Sequence, residues 1–308
     1  MIKPCPYQGE KDFWRIRNFL REVFILNGRQ EHSWHVARLD YWRWHLVLNC
    51  GLIGSVDAVT NLWETVDGQI AGVLNPVGLG EIRLHVHPRY RTADLETDML
   101  AFAEQHLFLT NDDGHRFLYL PIDAGDILRR GVLQDRGYSR QNGTSHKWCV
   151  DLGRVLPEAF IPEGYDIRSM GDLSEHPSRS WASWRAFHDD EPDDHYDGDW
   201  SWYQNVQTAP LYRRDLDIVA VAPQGEIAAF ATIFYDDYTR SAVCVLVGTA
   251  AEHQRRGLGK AVLLEGLRRL NRLGGTRAFA TAYDAPADAL YRSVMASFTV
   301  AETWLKVW

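Results

Sequence analysis

The sequence predicts an α/β (α+β) protein with two tandem domains, each a mixed, mostly antiparallel sheet flanked by helices. Three observations support this. The length of 308 residues is long for a single hydrophobic core. The element order β-α-α-β-β-β-α-β-α-β, inferred for the C-terminal half, recurs in the N-terminal half. A stretch containing Pro157, Pro162 and Gly164 interrupts both patterns. We expect domains at 1–152 and 165–308, joined by a linker at 153–164.

In the N-terminal half, hydrophobic periodicity and turn residues delimit each element. The predicted strands lie at residues 2–7, 59–66, 69–74, 81–86, 116–122, 138–141 and 145–152. The predicted helices lie at residues 11–26, 33–49, 92–107 and 127–135. Asp67-Gly68 predicts one hairpin turn, and Asn142-Gly143 predicts a second.

The C-terminal half begins with a strand after the turn Pro162-Glu163-Gly164. Its predicted strands lie at residues 165–170, 217–222, 226–235, 241–249, 277–283 and 303–308, and its first two helices at 173–188 and 200–208. A long helix contains the apolar positions from Leu258 to Leu270 and ends at Gly274-Gly275, and a last helix contains Ala287, Leu290 and Tyr291. The three central strands read as an antiparallel meander, because short turns separate them. Asp284 is expected to cap the last helix.

The two halves align at a constant offset of 163 residues, which superimposes residues 86–107 on 249–270. The similarity lies in the pattern rather than in residue identity. It indicates an internal duplication of one unit.

The most informative segment is Gln254-Arg255-Arg256-Gly257-Leu258-Gly259-Lys260, between an apolar strand and a long helix. Two glycines allow close approach to the backbone, and the first amides of the helix lie at the positive end of its dipole. Arg255, Arg256 and Lys260 add positive charge. The segment therefore predicts an anion site suited to a pyrophosphate.

Two other phosphate-binding motifs do not fit this segment. A Walker A loop needs Gly at 254 and Ser or Thr at 261, where the chain has Gln254 and Ala261. A dinucleotide fingerprint needs a third glycine where Val262 stands. A strand-to-helix turn with a solvated basic helix start is the remaining structural interpretation.

Gln254-x-x-Gly257-x-Gly259 resembles the Arg/Gln-x-x-Gly-x-Gly/Ala signature of the GNAT N-acetyltransferase superfamily, and Asp284-x-x-Ala287-x-x-Leu290-Tyr291 resembles its second motif. The layout is similar to the tandem-GNAT arrangement of mycothiol synthases. The resemblance implies a splayed sheet that binds acetyl-CoA as cosubstrate. The implied contacts are made by residues Val247, Thr249, Gln254, Arg255, Arg256, Gly257, Leu258, Gly259, Lys260 and Asp284.

The same resemblance implies that Tyr291 protonates the departing thiolate of coenzyme A. A phenol with a pKa of about 10 is a reasonable donor to a thiolate with a pKa of about 8.5. A buried core tyrosine is the alternative. The sequence departs from the family pattern at Asp284, where Asn is usual, and at Ser297, where Gly is usual.

The general base is open at this stage. Asp236, Asp237 and Glu252 are the nearest carboxylates in sequence, and a base acting through water or supplied by the first domain is an equal alternative.

The corresponding loop of the first half reads Arg91-Thr92-Ala93-Asp94-Leu95-Glu96, without either glycine. Asp94 and Glu96 would repel a pyrophosphate. At the offset of 163, Tyr291 maps onto Leu128, which cannot donate a proton. We therefore expect the first domain to be degenerate and not to bind coenzyme A.

An acidic stretch at residues 189–199 carries seven carboxylates and no Lys or Arg. One interpretation is a solvated acidic loop. The other is a funnel for a cationic small-molecule amine, flanked by Trp181, Trp184, Trp200 and Trp202.

Composition limits the remaining classes of function. A net charge of −8 argues against nucleic acid as a partner. Four scattered cysteines without CxxC spacing predict neither a zinc site nor a disulfide framework, so no metal is expected. No apolar run is long enough for a membrane span, and no secretory signal pattern is present, so a cytoplasmic location is expected.

Two functions follow from these observations. The first is an acetyl-CoA-dependent N-acetyltransferase acting on a primary amine. The second is a non-catalytic acyl-CoA-binding regulatory protein. The sequence predicts neither the acceptor nor the oligomeric state.

Overall fold

The computed structural model describes residues 2–78 and 80–308, which form two compact units. Unit 1 comprises Met1–His146 and Thr299–Trp308, and unit 2 comprises Lys147–Phe298. This division differs from the expected boundaries because the C-terminal strand pairs with a strand of unit 1 through residues 301–307. The functional roles expected of the two domains stay predictions.

In the first 151 residues the strands are β1 Ile2–Pro6, β2 Asn61–Thr65, β3 Ile70–Gly78, β4 Glu81–Val86, β5 Leu109–Thr110, β6 Arg116–Asp123 and β7 Ser139–Asp151. The helices are α1 Glu10–Leu26, α2 Val36–Tyr41, α3 Val56–Val59, α4 Ala93–His106 and α5 Ile127–Asp135. A π-helical segment, Trp42–Val47, continues α2, and a 3-10 turn, Pro88–Tyr90, precedes α4.

In the remaining residues the helices are α6 His176–Phe187, α7 Ser201–Gln207, α8 Leu258–Arg272 and α9 Ala285–Arg292. The strands are β8 Asp166–Ser169, β9 Asp217–Val221, β10 Ile227–Asp236, β11 Ser241–Thr249, β12 Arg277–Ala282 and β13 Ser297–Val307. Short 3-10 turns lie at Leu173–Glu175, Asp193–His195, Arg214–Leu216 and Ala251–His253.

The mixed sheets have the predicted character. In unit 1, β1, β2, β3 and β4 form an antiparallel series, whereas β4 pairs with β6 in parallel. In unit 2, β8 to β11 are antiparallel neighbours and β11 pairs with β12 in parallel. The α/β (α+β) class and the central meander are therefore confirmed.

The core of unit 2 places α8 on one face of its sheet. Leu263, Leu264, Leu267 and Leu270 of α8 are fully buried together with Ile233 of β10. Gly266 allows this close packing, because a Cβ there would lie 2.5 Å from the Ile233 Cδ1. The strand-to-helix connection that precedes α8 is thus held by an extensive apolar contact.

One predicted turn is wrong, and one predicted strand starts at a different residue. Asn142-Gly143 does not form a hairpin, because residues 139–151 form one continuous strand, β7. This strand pairs with neighbours that are distant in sequence, β13 and β12, and that pairing overrides the local turn preference. The predicted strand at 59–66 begins later, since Val56–Val59 is a helical turn.

Candidate functional site

The sheet of unit 2 opens between β11 and β12. These parallel strands pair only from Ser241 to Val243, against Arg277 to Phe279. Both strands continue beyond that point, β11 to Thr249 and β12 to Ala282. Register with β10 also shifts between Thr232 and Ile233, which leaves Val245 as an extra residue. The divergence leaves the Val247–Thr249 end of β11 unpaired on its β12 side.

The loop after β11 leads directly to an uncapped helix start. Gly257 is the N-cap of α8, has a left-handed φ of 85°, and provides no side chain to accept from the first amides. Arg255 also has a positive φ, of 62°. Gln254, Arg255, Arg256 and Gly257 are all exposed. The first amides of α8 are thus available at the positive end of a helix of 15 residues.

The two glycines of the loop serve different needs. A Cβ on Gly257 would meet nothing within 4 Å, so glycine is needed there for the left-handed backbone and the open space. A Cβ on Gly259 would lie 3.0 Å from the Thr249 Oγ1, so glycine there allows α8 to approach β11. Leu258 between them is buried in the core, and Lys260 is half-buried.

The second motif lies on α9. Asp284 is the N-cap of this helix, and its Oδ1 accepts from the Ala287 amide at 2.7 Å. The capping role predicted for Asp284 is confirmed. Tyr291 is buried, with 6% of its surface exposed, and packs in the main apolar cluster of unit 2. Its role in proton transfer stays a prediction.

Two of the three candidate bases lie at the wrong end of the strand pair. Asp236 pairs with Ser241, whereas Ala229 pairs with Thr249, so Asp236 is about 24 Å along the strand from the loop. Its carboxylate accepts from the Thr239 hydroxyl at 2.7 Å within the hairpin turn. Asp237 belongs to the same turn. This placement argues against both residues as the base.

Glu252 lies at the same end as the loop, in the turn between β11 and α8. Its Oε2 is 3.6 Å from the Arg185 Nε of α6, and 45% of its side chain is exposed. Arg185 also faces Asp193 of the acidic stretch, at 3.3 Å. Glu252 is therefore the one sequence candidate placed near the loop.

Unit 1 repeats the strand–turn–helix connection with a shorter loop. Pro88–Tyr90 and Ala251–His253 keep the offset of 163, but α4 and α8 start 165 residues apart. The constant offset is therefore wrong beyond the turn. The caps Asp126 and Asp284 differ by 158, so Tyr291 corresponds to the buried Leu133 and not to Leu128.

An ionic network fills this connection in unit 1. Glu96 is fully buried, 2.6 Å from the Arg91 Nε and 2.8 Å from the Arg129 Nε. Burial would raise the pKa of Glu96, but Arg129 and Arg91 outweigh it and hold the pKa below the ordinary value. Arg91 also binds Asp126 at 2.6 Å.

Two further contacts distinguish this region from its counterpart in unit 2. The Arg129 Nη1 donates to the Leu84 carbonyl at 3.2 Å, and Leu84 corresponds to Val247 at the offset of 163. The hydroxyl of Thr92 accepts from the Leu95 amide at 3.2 Å and so caps α4, whereas Gly257 cannot cap α8. Side chains of unit 1 thus satisfy groups that unit 2 leaves open.

The acidic stretch is largely exposed, and part of it has structural partners. The Asp199 carboxylate accepts from the amide and the hydroxyl of Ser201, each at 2.8 Å, which lowers the pKa of Asp199. The Asp197 Oδ1 accepts from the Asp199 amide at 2.9 Å. These contacts order the start of α7.

The four flanking tryptophans form two groups. Trp181 and Trp184 are stacked at 5.7 Å between ring centroids, and Tyr196 contacts both. Trp200 instead contacts His176 and Trp202 contacts Tyr203, on the side of a buried polar cluster. The structure does not bring all four around one point.

Sequence reasoning missed that buried cluster. Asp217 accepts from the hydroxyls of Tyr203, Tyr212 at 3.0 Å and Thr232 at 2.8 Å. The Arg179 Nη2 lies 3.4 Å from the Thr232 Oγ1. No spacing in the sequence connects these residues, because the contacts join separate helices and strands.

Two negative findings apply to the described residues, 2–78 and 80–308. No helix there is both long and apolar enough to cross a membrane. No group of three or more His, Cys, Asp or Glu side chains there is arranged to hold a metal ion.

The comparison with protein-family models gives a match within unit 2. Residues 176–295 match the model of the acetyltransferase (GNAT) family. A search of curated protein sequences finds no match.

Solved structures share the fold over the whole chain. A GCN5-related N-acetyltransferase from Sphaerobacter thermophilus has 18% identity and a TM-score of 0.66, with 99% of this chain and 95% of that chain covered. A tandem GNAT protein from the clavulanic acid biosynthesis pathway has 14% identity and a TM-score of 0.65, with 100% and 98% covered. A GNAT-family acetyltransferase from Colwellia psychrerythraea has 11% identity and a TM-score of 0.60, with 99% and 100% covered.

At these identities the structural matches show the fold, and the family model supports acyl transfer as the class of activity. The structural matches and the family model agree with the strand–turn–helix connection that is present in each of the two units. The resemblance inferred from the Gln254 and Asp284 motifs is confirmed. The chain therefore has a tandem GNAT fold, and its residues 176–295 match the model of the acetyltransferase (GNAT) family.

Proposed function

We propose that this protein is an acetyl-CoA-dependent N-acetyltransferase that acts on a primary amine of a small molecule. The observation that carries the proposal is the open start of α8, beside the diverging end of β11. A diphosphate is bound well by unpaired helix amides, and Arg255, Arg256 and Lys260 add positive charge around them.

The residues present fit this cofactor. Gly257 leaves open space beside the first amides of α8, where any larger residue would place a Cβ. In our proposal Gln254 to Lys260 hold the diphosphate, and the backbone of Val247 and Thr249 pairs with the pantetheine arm. Asp284 fixes the start of α9 and through it the position of Tyr291.

Acetyl-CoA, when bound, supplies a thioester that a neutral amine attacks. The Tyr291 hydroxyl holds the proton that the departing sulfur needs as negative charge develops on it. The open segments of β11 and β12, residues 244–249 and 280–282, contain no carboxylate or histidine. We therefore propose that the ammonium form of the acceptor loses its proton through water, with Glu252 as the nearest candidate base.

The second candidate function is non-catalytic acyl-CoA binding. The burial of Tyr291 and the lack of a base on the diverging strands favour it. Turnover separates the two, because only a transferase releases free thiol.

The test is thiol release from acetyl-CoA across a panel of primary amines, with an amine-free control and calorimetric binding in parallel. Amine-dependent release supports the transferase. Binding without release from any amine favours the regulatory role, and no binding contradicts both. Electron density for coenzyme A beside Gly257 would support the cofactor assignment. A cytoplasmic location stays a prediction.

A further inference from the structure

Three buried N–H donors on α6 have no acceptor among the described residues. They are the Nδ1 of His176 and the Nε and Nη1 of Arg179. His176 is 1% exposed and Arg179 is 0% exposed. Residues three apart on a helix lie on the same face, so the two side chains are neighbours. Buried donors are almost always satisfied, and a group of three indicates a missing partner.

The contact with Gln207 assigns the proton of His176 to Nδ1. Its Nε2 lies 3.3 Å from the Gln207 Nε2, an amide nitrogen that can only donate. Burial, helped by Arg214 and Arg179 and opposed by Asp217, lowers the pKa of His176 and favours the neutral ring. A neutral ring that accepts at Nε2 carries its hydrogen on Nδ1.

Among the residues that the structure describes, no carboxylate directly pairs with the charge of Arg179. Its Nη2 donates to the Thr232 Oγ1, and Thr232 in turn donates to Asp217 at 2.8 Å. The guanidinium carbon lies 3.5 Å from the centre of the Phe230 ring, which compensates the charge in part. A buried cation in this state is costly, and an anionic partner would stabilise it.

The cover of this cluster is a short helix. The Trp200 ring is 5.7 Å from that of His176, and the Trp202 ring is 6.0 Å from the Arg179 guanidinium carbon. Both tryptophans stand at the start of α7, directly after the exposed acidic stretch. Since Arg179 is 0% exposed, a ligand that reaches the donors must displace part of its cover.

The cluster is one strand away from the opening of the sheet. Phe230 and Thr232 of β10 pair with Gly248 and Leu246 of β11. Neighbouring strands are about 4.8 Å apart. A group bound by the three donors would therefore lie within the length of a small molecule of the place proposed for the thioester.

We propose that His176 and Arg179 bind a carboxylate of the acceptor, so that the acceptor is an amine that also carries a carboxylate, such as an amino acid. This inference rests on the proposed acetyltransferase function. A carboxylate offers about four acceptor positions on two oxygens and is negatively charged. A single water molecule accepts only two hydrogen bonds and leaves the charge unchanged.

The first test compares matched acceptors in the thiol-release assay. Free amino acids are paired with their amides, in which a neutral amide group replaces the carboxylate. We expect kcat/KM to be at least about 10-fold higher for the acid, as for the loss of a hydrogen bond to a charged group. Arg179→Gln removes the preference, and Arg213→Gln, an exposed arginine of the same unit, retains it. Equal use of acid and amide by the unaltered protein overturns the inference, whether or not Arg179→Gln folds.

The second test needs no turnover. Tryptophan fluorescence, to which Trp200 and Trp202 contribute beside the cluster, is titrated with sodium acetate and with acetamide at constant ionic strength. A saturable response to acetate alone, lost in Arg179→Gln, supports the site. If that response is found but no amine releases thiol, the carboxylate site stands and the transferase proposal fails. Thiol release without a preference for the acid supports the transferase and overturns the inference of a carboxylate site. The absence of a fluorescence response to acetate also overturns it, because buried water alone then occupies the donors.

Discussion

Replacing Gly257 with alanine tests the proposed diphosphate site against a control on the same helix. Gly257 precedes α8 with φ 85°, and Gly274 follows it with φ 86°. A Cβ at Gly257 meets nothing within 4 Å, and at Gly274 it meets only the Arg240 Nη2, at 3.7 Å. Each Gly→Ala change should therefore cost the same strain, about 1–2 kcal/mol of unfolding free energy.

The two variants should differ in cofactor binding. The methyl group at 257 would stand beside the first amides of α8 and hinder one or two hydrogen bonds to the diphosphate. A hydrogen bond to a charged group contributes about 1.5–3 kcal/mol, so the Kd for coenzyme A should rise about 10- to 100-fold. At position 274, one helix length of about 22 Å away, the change should leave the Kd within about twofold.

The assay is calorimetric titration with coenzyme A and with pantetheine, alongside urea unfolding of both variants. Pantetheine lacks the diphosphate, so its binding should be unaffected by either change. Normal coenzyme A affinity in Gly257→Ala, or equal weakening in Gly274→Ala, would refute the reasoning.

Further predictions concern Tyr291 and the ionic network of unit 1. Tyr291→Phe should lower kcat for amine acetylation by about 100-fold or more with unchanged acetyl-CoA affinity, and a kcat within threefold would return Tyr291 to a packing role. Calorimetry should give one coenzyme A per chain, because Arg129 and Glu96 fill the counterpart in unit 1; two equivalent sites would contradict this. Glu96→Gln should cost about 3–5 kcal/mol in urea unfolding, since it removes the close carboxylate of the buried Arg129 and leaves Asp126 at 4.0 Å. A loss below about 1 kcal/mol would show that the pair contributes little. The pKa of Glu96 is lower in the folded chain than its ordinary value of 4.5, so the unfolded chain binds the proton first and stability is lost as the pH falls from 4.5 through the folded pKa. Unfolding measured from about pH 6 to about pH 3 should show a smaller loss in Glu96→Gln, and parallel curves would exclude Glu96 as the cause.

Short-range features of the sequence predict the position of the loop from Gln254 to Lys260 and the helix that follows it. A glycine with a left-handed backbone, a second glycine against the strand, and an apolar stripe in the helix are all short-range features. The same holds for Asp284, whose cap bond spans three residues. Local rules failed at Asn142-Gly143, where pairing with distant strands decides the backbone.

The sequence alone determined the class of fold, the duplication and the position of the glycine-containing loop before α8, because each follows from neighbours along the chain. Only the tertiary structure decided that β11 and β12 diverge after Val243, and that Arg129 reaches Glu96 and Leu84. The same is true of Arg179, which lies 53 residues from its partner Thr232. Such contacts depend on how strands and helices pack, and side-chain reach across a sheet leaves no periodic signal in the chain.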